Sequence, residues 1–262
     1  MLDRDQIIEY LREFGFAKSY VNAMWLEGAD GIGQVDAYSD IDFWFDVEQT
    51  CQETFLYECI AELEKLAGID SRVDNIRRNI AQSNIHLENT PEYLTLDICV
   101  QSHEIRGMNV TCFVENDIAE QPLILFDKKN IISFREEMIN EEEIRKAFWD
   151  SKNRILQMSR VRKYIHRNQY LEAYGKYLEN VAEPLVSMAR LLYTPRHYEY
   201  ALCHISRHLP EETVGELMPF FQVTSLEEIE TNLQRADQLF RKYEKELREK
   251  YVLGIFTSPS HI

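Results

Sequence analysis

Residues 21–47 read VNAMWLEGADGIGQVDAYSDIDFWFDV, and this stretch decides the fold. An apolar run, Val21–Leu26, leads into glycines 28, 31 and 33 and then into a second run in which Ile41, Phe43 and Phe45 alternate with Asp40, Asp42 and Trp44. A period of two places successive side chains on opposite faces of a strand. The order is therefore strand, glycine-rich turn, strand, with two carboxylates side by side on an open face. Like charges that close repel unless a cation is present, and hard divalent ions such as magnesium take carboxylate oxygens together with substrate phosphates. Acid-x-acid triplets also occur at Asp3/Asp5, Glu62/Glu64, Glu115/Asp117 and Glu141/Glu143. Those fall in expected helices or loops, where positions i and i+2 face apart. The glycine spacing matches neither a dinucleotide fingerprint nor a Walker loop, although glycines there let backbone amides approach a phosphate closely.

A third carboxylate stands in residues 93–100, YLTLDICV, where Leu94, Leu96, Ile98 and Val100 face one way and Thr95, Asp97 and Cys99 the other. An acid in an apolar strand costs several kcal/mol if it is buried unpaired. Asp97 therefore has either a cation beside it or the water and salt bridges of a sheet edge.

The 262 residues are 45% hydrophobic and 11% aromatic, enough for a sizeable core and against disorder. The formal charge of −16 argues against holding phosphate backbones, so nucleic acid is not an expected partner. Five cysteines without a C-x-x-C pair signal neither a disulfide framework nor a thiolate zinc site and fit a reducing cytoplasm. No apolar stretch reaches the length of a membrane span, and the acidic start is not that of a signal peptide, so no membrane partner is expected.

The charge is unevenly spread. Residues 1–140 hold 11 basic and 27 acidic side chains, whereas residues 141–262 hold 18 of each. The first half also carries the strand-like runs, including residues 108–114 and 123–126, and reads as α/β. The second has helical spacing: Ile144, Phe148, Ile155, Met158 and Ile165 form one stripe, and Tyr170, Tyr174, Tyr177, Val181, Leu185, Met188 and Leu192 another. Such stripes are core rather than a cofactor box. Stops are expected at Asn168, Thr194-Pro195, Pro210 and residues 223–225, leaving four or five helices. The domains expected are residues 1–138 and 139–262.

Gly28, Gly33, Ser39, Asp40, Ile41, Asp42 and Asp97 together resemble the nucleotidyltransferase superfamily of polymerase-β type, whose pattern is a Gly-Ser turn, a spacer, Ser-Asp-Ile-Asp on a strand and a later strand aspartate. The resemblance covers about residues 20–100. Residues 196–210, RHYEYALCHISRHLP, look like the helical domains of antibiotic nucleotidyltransferases. The resemblance implies an α+β fold: a nucleotidyltransferase domain with a mixed sheet, then a C-terminal helical bundle that closes over substrate or nucleotide. It implies Mg2+ held by Asp40 and Asp42, with Asp97 completing a second metal site and able to act as general base. It also implies ATP or another nucleoside triphosphate as co-substrate, with Gly28, Ala29, Gly33 and Ser39 at its phosphates. The acceptor would be a small hydroxyl-bearing molecule, of aminoglycoside or lincosamide kind, in antibiotic resistance; the acidic first half favours a cationic one.

The family's turn serine is here Ala29, followed by Asp30, so a hydroxyl contact is lost and a negative charge is added near the triphosphate. That departure favours an alternative, a weakened member that binds nucleotide or acts as an antitoxin-like partner protein. Arg160, Lys163 and Arg167 recur on one expected helix; they either clasp the β- and γ-phosphates or form a solvated face. His204 and His208 have the spacing of helical ligands but lack the glutamate of a zinc motif. The oligomeric state is open.

Overall fold

The computed structural model describes residues 2–77, 80–106 and 111–253. The chain divides into two compact units, Met1–Glu137 and Met138–Ile262. The first is built on a six-stranded sheet of β1 (Val21–Leu26), β2 (Ile41–Val47), β3 (Ile69–Arg77), β4 (Ile80–Leu87), β5 (Thr95–Gln101) and, after the three-residue β6 (Cys112–Val114), β7 (Leu123–Asp127). The spatial order is β3-β4-β5-β2-β1-β7. Only β2 and β5 run parallel; their neighbours are antiparallel. This is the mixed sheet of the expected α+β fold. A separate parallel pair joins β6 to β8 (Ser133–Arg135).

One face of the large sheet is covered. Helices α1 (Arg4–Ala17) and α3 (Gln52–Leu66) pack Ile7, Leu11, Phe55, Leu56, Cys59 and Leu63 against Met24, Leu26, Ile41, Phe43, Phe45, Leu96, Ile98 and Val100. Helix α1 is fixed at its start by a capping box, in which Asp3 accepts from the Gln6 amide at 2.9 Å while the Gln6 side chain accepts from Asp3. Among the described residues the other face carries a small cluster, Ala23, Trp25 and Phe113 with Trp44, Ile131 and Ile132. Between β1 and β2 the glycine-rich segment makes one helical turn, α2 (Gly28–Gly31), and past β5 another follows, α4 (His103–Arg106).

The second unit is helical: α5 (Glu141–Ile155), α6 (Ser159–Ile165), α7 (Tyr170–Tyr177), a π-helical turn over Leu178–Ala182, α8 (Glu183–Tyr193), α9 (Ile205–His208), α10 (Glu211–Leu217) and α11 (Leu226–Lys250). The expected stripes are core: Ile144, Phe148, Ile155, Tyr177, Val181, Leu185 and Met188 are buried together with Leu233, Phe240 and Tyr243 of α11. Arg190 of α8 is fully buried, with no carboxylate partner among the described residues. Its guanidinium donates to the Ala201 carbonyl at 2.8 Å and to the Cys203 carbonyl, and so holds the segment before α9, where Ala201 has a positive φ.

Several expectations change. Strands β3 and β4 were not legible. Of the run 108–114, residues 108–110 lie outside the described residues, and among the rest Cys112–Val114 is a strand. The stripe from Ile144 to Ile165 is not one helix, because the Gln157 and Met158 amides turn back to Arg154 and Ile155 and separate α5 from α6. Arg160, Lys163 and Arg167 therefore do not share a helix. Arg160 and Lys163 lie in α6, whereas Arg167 lies past its end, in a turn that Asn168 closes with φ of 55°. His204 is a left-handed residue preceding α9, so His204 and His208 are not ligands on one regular helix.

Candidate active site

The parallel register of β2 and β5 sets Asp42 directly against Asp97, Trp44 against Cys99 and Asp46 against Gln101. Residues opposed in this way share a face, here the face opposite α1 and α3. Asp42 and Asp97 are half-buried, and Asp40 stands exposed just before β2. On the β1 side the Glu27 amide donates to the Asp42 carbonyl at 3.1 Å. Trp25 stacks on Trp44 with ring centroids 5.9 Å apart and donates its indole N–H to Glu27 Oε1 at 2.8 Å. Two indoles thus cover the middle of the face, and the carboxylates occupy its end beside the glycine-rich turn.

That turn is shaped around Asp42. Gly28 has φ of +57°, and a Cβ there would stand 2.0 Å from Asp42 Oδ2, so only glycine fits. A Cβ on Gly31 would stand 1.7 Å from the Gln121 carbonyl oxygen. Ala29 lies within α2, and its carbonyl accepts from Gln34 at 2.8 Å. Gly33 has φ of +69° and open space around it. Ser39 closes the turn before β2: its hydroxyl accepts from the Asp36 amide at 2.9 Å and donates to Asp36 Oδ1 at 3.0 Å. Asp30 is turned onto Arg4 of α1, whose guanidinium also donates to the Ser39 carbonyl at 3.0 Å. The charge that Asp30 adds is therefore countered within the fold, unlike the uncompensated charge expected from sequence.

The electrostatics follow from this crowding. Burial, then the charges of Asp40, Asp97 and Asp30, push the Asp42 carboxyl up to about 6, against a smaller opposing effect of Arg4. Burial also raises Asp97, opposed by hydrogen bonds from Gln82, whose Nε2 lies 2.9 Å from both carboxylate oxygens. Asp30 is raised by burial and held down in part by Arg4. Burial and the charges of Asp97 and Glu27 drive the Cys99 thiol far up, so it stays a neutral thiol.

Asp40, Asp42 and Asp97 are thus brought to one end of one face with the turn of Gly28, Ala29 and Gly33. Arg160, Lys163 and Arg167 belong to the second unit. Gln82, Arg4 and Glu27 were missed; Gln82 and Arg4 gave no sequence signal, whereas Glu27 stands directly before the first glycine. Among the described residues no group of three His, Cys, Asp or Glu side chains converges on a single metal position, so the three aspartates are not a preformed three-ligand set. The donor chemistry still suits magnesium. Asp42 opposes Asp97, the side chains of Asp40 and Asp42 have no hydrogen-bond partner among the described residues, and magnesium is commonly held by one or two carboxylates plus substrate phosphates. Among the described residues no helix is long and apolar enough to cross a membrane.

No protein-family model matches the chain, and no curated protein matches its sequence. Among solved structures it is similar to an aminoglycoside 6-adenyltransferase from Bacillus subtilis, with 18% identity, 98% of this chain and 94% of that one covered, and a TM-score of 0.41. It is also similar to a nucleotidyltransferase-like protein from Exiguobacterium sibiricum, with 11% identity, 93% and 77% covered, and a TM-score of 0.35. A spectinomycin adenyltransferase from Enterococcus faecialis gives 9% identity, 94% and 100% covered, and a TM-score of 0.34.

Proposed function

We propose that the chain is a magnesium-dependent nucleotidyltransferase that moves a nucleoside monophosphate, AMP from ATP, onto a hydroxyl of a small molecule. The observation that carries this reading is the opposition of Asp42 and Asp97 on parallel strands, beside a turn whose glycine leaves room for the Asp42 carboxylate alone. Asp40 and Asp42 would hold the metal, with Asp97 beside them. Bound there, magnesium would neutralise charge on the triphosphate and on the departing pyrophosphate. Asp97 accepts the proton of the attacking hydroxyl; its raised affinity for protons suits it to that role, and Gln82 fixes its orientation. The Gly28 turn brings backbone toward the phosphates. Ala29 supplies no hydroxyl there, so the nucleotide is held by amides and metal.

The acceptor class we favour is a polycationic aminoglycoside, because the charge of −16 falls wholly on the residues of the first unit; a lincosamide is the weakly charged comparison. The rival, a weakened nucleotide-binding or antitoxin-like member, had rested on Ala29 and Asp30, and with Asp30 paired to Arg4 it rests on Ala29 alone.

The test is pyrophosphate release from purified protein with magnesium, each nucleoside triphosphate and a panel of hydroxyl-bearing antibiotics. Turnover with ATP and an aminoglycoside, with a KM that rises as salt shortens the screening length toward about 8 Å, is expected. Release with no acceptor in the panel, combined with no calorimetric binding of a non-hydrolysable ATP analogue, would overturn the reading.

A further inference from the structure

We propose that the chain forms a two-fold homodimer by antiparallel pairing of β3 with β3 of a second copy. β3 is the outermost strand of the six-stranded sheet and has nine residues, of which all but Ile69 are exposed. Edge strands this long are ordinarily kept from other chains by charge, proline or bulges. β3 carries Arg72, Asp74 and Arg77, but their order lets them attract a second copy in one register.

Arg72 and Asp74 lie on the helix-covered face and pair with each other along the strand, Arg72 Nε donating to Asp74 Oδ1 at 2.8 Å, so a cross-copy pair would share these charges rather than meet free ones. Asp74 also accepts from the buried Ser83 hydroxyl at 2.8 Å, and the Arg72 guanidinium stands 5.5 Å from the ring centroid of Tyr57 on α3. Val73, 67% exposed, points to the opposite face. Directly opposed residues of an antiparallel pair point to the same side, and a one-residue slip would join the covered face of one copy to the bare face of the other. The two-fold axis therefore passes through a residue.

An axis at Arg72 would set Arg72 against itself, and one at Asp74 would set Asp74 against itself. An axis at Ser71 would oppose Asp70 to Arg72 but would engage only residues 69–73. An axis at Val73, the middle of Ile69–Arg77, engages the whole strand. It places Arg72 of each copy opposite Asp74 of the other, with the exposed Val73 pair between them. Charge and length select the same register.

The experiment is light scattering after size exclusion, with sedimentation to obtain the dissociation constant, on the full chain. Wild type is expected to be a dimer. Arg72→Asp and Asp74→Arg each turn two attractive pairs into two repulsive ones and are expected to raise the dissociation constant by about ten- to a hundredfold. Mixing the two variants restores complementarity and is expected to return a heterodimer of wild-type strength, as is the double swap Arg72→Asp/Asp74→Arg. Should a swapped chain fail to fold by circular dichroism, Val73→Lys, at an exposed position, opposes two ammonium groups at the axis and is expected to leave a monomer. A monomeric wild type at high concentration, a dimer indifferent to these changes, or singles that do not recover on mixing would each overturn the proposal.

Discussion

Replacing Asp42 by asparagine removes one negative charge from the carboxylate cluster while keeping the side chain's shape. The carboxyl is raised from 3.8 to about 6 in the folded chain, a difference worth about 3 kcal/mol if fully transmitted. Because the group is only half-buried, solvent screening reduces this to about 1–2 kcal/mol. Below about pH 4 the carboxyl is protonated in both folded and unfolded chains, and its ionisation costs nothing. Between about pH 4 and 6 the unfolded chain ionises first, so folding becomes progressively less favourable, and above about 6 the whole penalty is present. Asparagine carries no such penalty. In thermal melts the variant should match wild type near pH 4 and melt roughly 3–6 °C higher at pH 7–8. Magnesium should raise the wild-type melting temperature at pH 8 and narrow the gap, while nucleotidyl transfer by the variant falls by about two orders of magnitude or more. A gap independent of pH, or a variant less stable at pH 8, would refute the crowding argument and make Asp42 a structural residue.

Three further outcomes follow from the same geometry. Gln82→Leu removes the donors that hold Asp97 down, so the acidic limb of the pH profile of kcat/KM should move to higher pH, with little loss of stability. Arg4→Met leaves the 93%-buried Asp30 side chain without its cation and should cost about 3 kcal/mol in urea unfolding, with most of that recovered in Arg4→Met/Asp30→Asn. Arg190→Met strips the Ala201 and Cys203 carbonyls of their donor; a loss of about 2–4 kcal/mol is expected in denaturant melts of the second unit.

How far the sequence foretold this structure varies from strand to strand. β1 and β2 were readable to the residue because each is an interior strand whose apolar positions, Trp44 apart, are buried; the buried Asn22 and Asp46 are the polar exceptions. β4 was not, since its inward row runs Ala81, Ser83, Ile85, Leu87 and the hydroxyl of Ser83 interrupts the pattern; that hydroxyl is satisfied by Asp74 of the neighbouring strand, a contact no local rule supplies. β3 carries little alternation because neither of its faces is well covered. The aspartates of the site were legible for a physical reason: a charge in an apolar strand is conspicuous. Gln82 and Arg4 were invisible because each acts on a residue at least 15 positions away. In the helical unit the turn residues Asn168, Thr194, Pro210 and Ser225 stand where stops were expected. The break after α5 has neither glycine nor proline to announce it.

The stacked Trp25–Trp44 pair makes the first unit its own optical instrument. Two indoles 5.9 Å apart and inclined by only 12° are coupled chromophores, so near-ultraviolet circular dichroism should carry their joint signature and lose it if either ring rotates. One ring is hydrogen-bonded to Glu27, whose amide reaches the Asp42 carbonyl; the other shares its strand with Asp42 itself. Trp149, the third tryptophan, lies in the other unit and contributes a separate background. Events at the carboxylates can thus be followed in unlabelled protein, and Trp44→Phe tells which part of the signal belongs to the pair.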